Sequence, residues 1–345
     1  MEEKKNKKEQ EQTEKGIGRR TFLKVIGVTA LGVQAHGLPV FAKSNKVTPV
    51  QPDPQPGSSK RCRIVVFGVD GLRIDYAERL REEGAFALDG LNPPICATCG
   101  GLSSAQPGWA SIWSALPSQK IKCWSNKRYE AMPEGYHIIE KLAHPKAYGE
   151  NLYIIWITAK DQNIRGLEEE SPHHAVYKLI KEGKNLGIYL GDEKRTDEEV
   201  RDAARDALEE LNYKNPDSFI CFIHFRNPGY LGTQVAGEPN DFEKYLNKAR
   251  LVDKKIYQLM KDLPHDTDII YCSEQGFDFK SQGDPRNGHG FSPHGMLATN
   301  FPTLNRTNVS QMAIGRLIYK RAGFDPNFTS RADGKLYKMF GEDLI

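Results

Sequence analysis

Ile64-Val65-Val66-Phe67-Gly68-Val69-Asp70-Gly71 is an apolar run that ends on an acid. Its length, its β-branched content and the Asp-Gly that closes it predict a buried strand that delivers a carboxylate at its carboxyl end. Leu152 to Thr158, Phe219 to Phe225 and Asp268 to Cys272 have the same character. Helical patterns lie between them. Thr196-Asp197-Glu198-Glu199 is a capping box, followed at helical spacing by Val200, Ala203, Ala204, Ala207, Leu208 and Leu211. Phe242, Tyr245, Leu246, Ala249, Val252, Ile256, Leu259 and Leu263 mark one face of a second helix. Alternating strands and helices predict an α/β fold with a mostly parallel central sheet and helices on both faces. In open α/β sheets ligands bind beyond the carboxyl ends of the strands. Asp70, Arg226-Asn227-Pro228 and Ser273-Glu274-Gln275-Gly276 are therefore predicted to share one rim.

Upstream of this region the chain changes character. Lys4, Lys5, Lys7, Lys8 and Lys15 precede Gly18-Arg19-Arg20-Thr21-Phe22-Leu23-Lys24 and an apolar stretch from Val25 to Ala42. That order reads as a twin-arginine signal peptide over 1–42, with cleavage expected after Ala42 and export by the twin-arginine translocase to the periplasm or medium. Gly27, Gly32, Gln34, His36, Gly37 and Pro39 interrupt the stretch, and no stable membrane span is expected in the mature protein. Residues 43–60, with four prolines and no apolar periodicity, read as a linker. Residues 61–345 are long enough for one large domain. Eight of the 48 basic and five of the 45 acidic residues lie in 1–24, which leaves 40 of each. A neutral domain without a clustered basic face argues against nucleic-acid binding, which rests on phosphate neutralisation.

Ser103 and Ser104 stand just before Ala105-Gln106-Pro107-Gly108-Trp109, which reads as a helix start with proline in its first turn. Two readings stay open. A hydroxyl there can cap the helix, or it can attack a phosphorus or sulfur centre when a nearby cation lowers its pKa, with the helix end holding the anion. Cys96 and Cys99 form a Cys-x-x-Cys pair flanked by Pro93, Pro94, Gly100 and Gly101. Such flanks predict a loop rather than the strand-to-helix turn of a redox site, and a structural disulfide drawn from Cys96, Cys99 and Cys123 is the expectation. Cys221 and Cys272 lie in strand-like runs and read as buried thiols. His224 and the His173-His174 pair read as packed or solvated histidines.

Together these segments resemble the alkaline phosphatase superfamily, in its type I phosphodiesterase/nucleotide pyrophosphatase and sulfatase-like branch. The resemblance runs through Val65 to Gly71, Ser103 to Pro117, Phe222 to Pro228, Asp266 to Gly276, Gly288-His289-Gly290 and Leu297 to Asn300. It implies an exported ester hydrolase acting on a small anionic substrate, with a Ser nucleophile at Ser103, or Ser104 one register away. Metal ligands are implied at Asp70, Asn227, Glu274 and His289, with His294 competing for the last place. Where the family carries further Asp and His ligands this chain has Asn227, Thr233 and Glu274-Gln275. Amide oxygens are poor zinc ligands, so an oxygen-rich site for one Ca²⁺, Mg²⁺ or Mn²⁺ is expected rather than a zinc pair. The Cys/Ser-x-Pro-x-Arg signature of formylglycine sulfatases is missing at Ser103. A catalytically inactive relative that binds an anion or a protein, with no metal, stays open, and so does a phosphoryl-transfer mutase. Substrate choice is expected to lie in loops at 121–145 and 161–195.

Overall fold

The computed structural model describes residues 61–99, 104–145, 147–159, 164, 166–193, 195–236, 238, 240–279, 292, 294–302 and 308–324, together with the backbone of 328–330 and 336–338. The expected signal peptide, the linker, Ser103 and His289 lie outside these residues. In chain order the strands are β1 (Arg63–Val69), β2 (Ile95–Thr98), β3 (Cys123–Ser125), β4 (Arg128–Tyr129), β5 (Leu152–Thr158), β6 (Gly187–Leu190), β7 (Ser218–Phe225), β8 (Asp268–Cys272), β9 (His294–Thr299), β10 (Asn308–Ser310), β11 (Phe328–Ser330) and β12 (Leu336–Lys338). The α-helices are α1 (Ile74–Glu82), α2 (Ala105–Ser114), α3 (Ile138–Leu142), α4 (His174–Lys181), α5 (Asp197–Lys214), α6 (Gly229–Val235), α7 (Asp241–Met260) and α8 (Gln311–Arg321).

Eight strands form one sheet in the order β10-β2-β9-β8-β1-β7-β5-β6. Only β9 runs against the others: it pairs antiparallel with β8 and β2, while the remaining pairings are parallel. The four strands read from apolar runs form its centre, because both faces are covered and each residue must be apolar whichever way it points. Alternation then sorts the side chains. Val65, Phe67 and Val69 of β1 pack in one core with Val200 and Leu208 of α5 and Val252 and Ile256 of α7. Ile64 and Val66 pack in the other with Trp109 and Trp113 of α2, Leu142 of α3, Val176 of α4 and Ile314 of α8. Helices thus cover both faces, as the alternating pattern requires. Gly68 is where the second core comes closest: a Cβ there would stand 2.6 Å from the Trp109 ring and 2.7 Å from that of Phe222.

The α5 capping box is present, with Thr196 Oγ1 accepting from the Glu199 N–H and Glu199 accepting from the Thr196 N–H. Two expectations are corrected. The stretches 121–145 and 161–195 are not plain loops: the first carries the β3–β4 hairpin and α3, the second α4 and β6, which extends the main sheet. Their short strands are for the most part half-buried. Cys96 likewise lies on β2, between β9 and β10, rather than in a loop.

Candidate active site

Because β1, β7 and β8 are parallel and in register, Gly68 lies between His224 and Cys272, and the residues that follow all emerge at one rim. The convergence read from the sequence is therefore present. Asp70 is anchored through its backbone: its N–H donates to the Phe225 carbonyl at 3.0 Å, and its own carbonyl accepts from the Gly229 N–H at 2.9 Å. Gly71 follows at φ +75°, a left-handed conformation that glycine adopts without strain. Ser273 ties the next strand end to the first, donating to the Leu72 carbonyl at 2.5 Å while accepting from the Met296 N–H at 2.9 Å.

Glu274 is fully buried, and among the described residues neither carboxyl oxygen is in a hydrogen bond of good geometry. Its polar neighbour is the equally enclosed Asp70. Burial, then the charge of Asp70, pushes the Glu274 carboxyl well above the usual carboxylate range. Two enclosed carboxyls side by side disfavour double ionisation, so in the metal-free protein the protonated form of Glu274 is favoured. An oxygen-only pair of this kind suits one hard divalent ion. Among the described residues no group of three or more His, Cys, Asp and Glu side chains is placed to hold a metal, so a dinuclear zinc centre has no ligand set there.

The other implied ligands are placed differently. Asn227 is buried, but its Nδ2 donates to Asp197 Oδ2 at 2.7 Å and its Oδ1 accepts from the Leu231 N–H at 3.2 Å. These partners fix which end of the amide is oxygen. The sequence reading missed Asp197, because an acid in the first turn of α5 reads as ordinary helix-end chemistry. Burial raises its carboxyl despite the Asn227 hydrogen bond. Thr233 takes no part, its hydroxyl donating to the Tyr230 carbonyl at 2.7 Å. His294 opens β9, whose next residue Gly295 lies against Ser273 and Gln275 at the same rim, and it places Nδ1 3.5 Å from Cys96 Sγ.

Ser104 occupies the N-cap position of α2 without acting as a cap. The Gln106 N–H that it would serve donates instead to Asn126 Oδ1 at 2.8 Å, and Pro107 has no N–H to offer. The Ser104 hydroxyl is left buried with no hydrogen-bond partner. Of the two readings of this serine, capping is therefore removed.

Beneath α2 three histidines are fully buried among Trp109, Trp113 and Trp156. His137 Nδ1 accepts from the Ile139 N–H at 3.1 Å, and His137 Nε2 lies 3.2 Å from His173 Nδ1. His224, on the α2 side of β7, has neither ring nitrogen in a hydrogen bond. Burial lowers the imidazoles of His173 to about 3 and His224 to about 4, so both are neutral near pH 7.

Cys96 and Cys123, two of the three cysteines expected to supply a disulfide, are thiols. Cys123 is enclosed, and burial raises its thiol to about 12. Cys96 is half-buried and meets an imidazole. Iodoacetamide is accordingly expected to alkylate the half-buried Cys96 ahead of the enclosed Cys123, Cys221 and Cys272, as peptide mapping by mass spectrometry would show. Equal labelling of Cys96 and the buried thiols would contradict this. A cavity of about 900 Å³ opens elsewhere, lined by Arg61, Tyr148, Tyr153, Asp217 and Phe324 at the amino ends of β5 and β7, the rim opposite Asp70.

No protein-family model and no curated protein matches the sequence. Solved structures do match. A 2-O GAG sulfatase superposes with a TM-score of 0.52 at 13% identity, over 77% of this chain and 71% of that one. A putative sulfatase from Bacteroides thetaiotaomicron gives 0.52 at 12% identity, over 77% and 71%. The putative sulfatase yidJ from Bacteroides fragilis gives 0.50 at 12% identity, over 81% and 76%. At such identities the likeness speaks for the fold, and with its mostly parallel eight-stranded sheet the chain has the alkaline phosphatase-like fold of the sulfatases.

Proposed function

We propose that the protein is an exported hydrolase of phosphate or sulfate esters that uses Ser104, or Ser103 one register away, as nucleophile and one divalent cation held by Asp70 and Glu274. The observation that carries this reading is the buried Glu274 carboxyl, which among the described residues has no hydrogen bond of good geometry on either oxygen, with Asp70 beside it. A structural role would have given such a group a hydrogen-bond donor. The Ser104 hydroxyl, released from capping by Asn126, is the second part.

A bound Ca²⁺, Mg²⁺ or Mn²⁺ would let both carboxylates ionise, lower the pKa of a nearby hydroxyl and polarise an ester oxygen. Asp70 and Glu274 would hold such an ion, and the two backbone hydrogen bonds of Asp70 fix its main chain at the rim. Asp197 keeps Asn227 oriented at the same rim. Export by the twin-arginine pathway rests on the order of residues in 1–42. Among the described residues no helix is long and apolar enough to cross a membrane.

The test is turnover of aryl phosphate, aryl phosphodiester and aryl sulfate by the purified protein with Mg²⁺, Mn²⁺ or Ca²⁺. The Ser103→Ala, Ser104→Ala double variant should lose at least about a hundredfold, and the loss should be shared by Asp70→Ala. Turnover no faster than in the double variant would discard hydrolysis. Retained binding of anion and cation in that case would identify a non-catalytic relative.

A further inference from the structure

His137 stands at the N-cap of α3 and His173 at that of α4, so this pair joins the starts of two helices from separate stretches of the chain. Both rings are fully buried. His137 stacks on Trp113 with centroids 5.8 Å apart and 9° between the planes, and Trp156 lies against both imidazoles at 5.8 and 5.6 Å. His137 Nδ1 accepts from the Ile139 N–H at 3.1 Å, and His137 Nε2 faces His173 Nδ1 at 3.2 Å. A contact of that length between two ring nitrogens holds one hydrogen.

Both places where the pair could take a further proton are therefore already in use. On His137 Nδ1 the proton would face the Ile139 N–H, and α3 would lose its cap. Between the rings it would set one N–H against another, and the imidazoles would have to part. Among the described residues, the other titratable groups that face the pair are Glu140 and Lys141 of α3 and His224 of β7. Lys141 repels an added proton, and the Glu140 carboxylate is turned to the His137 main chain, accepting from its N–H at 3.2 Å. His174, next in the chain, is directed elsewhere, with Nδ1 3.0 Å from the Gly166 carbonyl and its ring stacked on Tyr177. We infer that His137 and His173 form an acid-released clasp: neutral, they hold the starts of α3 and α4 together against Trp113 and Trp156, and on taking up protons they free both helices while the central sheet stays folded.

The sign follows from burial, which lowers both imidazoles, His173 to about 3, below the 6.5 that each regains when exposed. The stability the pair contributes is complete above that ordinary value and is lost as pH falls from it toward the lowered folded values. Glu140 works in the opposite direction. Burial pushes its carboxyl up to about 7, so the folded state also gains a proton there as pH falls. Glu140→Gln removes that opposing share and keeps an acceptor for the capping box.

Hydrogen–deuterium exchange of the full-length Glu140→Gln protein at pH 7 and pH 5, read by mass spectrometry and corrected for intrinsic exchange rates, tests the clasp. The opening constant of α3 and α4 should rise about twentyfold for each ring that gains a proton, several-hundred-fold for the pair, while β1 and β7 stay protected. Wild type should show a shallower rise. An unchanged opening constant in α3 and α4 would overturn the clasp, and so would an equal rise in β1 and β7, which would mean acid unfolding of the whole domain. His137→Asn with His173→Phe keeps a cap acceptor and a ring without a titrating nitrogen, and should make the opening of both helices independent of pH over this range. A rise that persists in it would also overturn the clasp. If that double change prevents folding, His173→Gln alone should reduce the rise about twentyfold, and an unreduced rise would have the same consequence.

Discussion

Glu274→Gln raises the thermal midpoint of the metal-free protein at pH 8 by about 5 °C or more, and leaves it nearly unchanged at pH 4. The sign follows from the carboxyl's position. Burial and the Asp70 charge raise its folded pKa above the unfolded value, so the folded state binds this proton more tightly than the unfolded chain. The stability this contributes is complete below the unfolded carboxyl range and is lost as pH rises through that range toward the raised folded value. Glutamine is neutral at every pH, matches the shape and can donate to Asp70, so the loss disappears. A buried charge left uncompensated costs about 3 kcal/mol, which sets the scale. Adding Mn²⁺ or Mg²⁺ should flatten the pH slope in wild type and leave Glu274→Gln unaffected. A wild-type slope that survives in the variant would place the titrating group elsewhere.

Gly315→Ala should cost at least about 3 kcal/mol in urea unfolding, at the upper end of overpacking penalties. Its added carbon would sit 2.2 Å from the Ile112 carbonyl oxygen and 3.0 Å from the Ala115 Cβ. The first obstacle is backbone, so no rotamer change relieves it, and α8 must move off α2. Ala115→Gly added to Gly315→Ala removes the second obstacle and relieves the left-handed Ala115 at φ +56°, which should return only about 1 kcal/mol of the loss. Gly90→Ala is the matched control, since its nearest atom would be the Met260 methyl at 3.8 Å, an ordinary contact. If the two glycine variants unfold alike, helix propensity rather than the α2–α8 approach determines the loss.

The central sheet was legible because β1, β5, β7 and β8 are covered on both faces and have to be apolar throughout, a signal that short windows carry. β2 and β6 escaped notice: each has a single buried residue, β2 pairs with strands far along the chain, and β6 is an edge strand beside β5. Asp70 and Glu274 could be picked out because strand ends in this architecture point at the ligand rim. The fate of Asn227 could not, since its partner Asp197 lies 30 residues upstream under the guise of a helix-start acid. Ser104 illustrates the same limit: whether it caps depends on Asn126, a residue after the helix it precedes. The close approach of α2 and α8 carries no local pattern at all, since it rests on two glycines, Gly108 and Gly315, on different helices. Cys96 was misread because proline and glycine flanks outweighed a four-residue strand.

The histidines beneath α2 carry a consequence for where protons sit. His137 Nδ1 accepts from a backbone N–H, so it is bare, and the neutral ring carries its hydrogen on Nε2. That hydrogen is then donated to His173 Nδ1, which leaves the second ring protonated on its Nε2 as well. One main-chain amide, Ile139, thereby dictates the tautomer of two rings in succession. The result is one hydrogen bond passed from ring to ring, its direction fixed by the first turn of a five-residue helix, and it ends at His173 Nε2, which has no hydrogen-bond partner among the described residues.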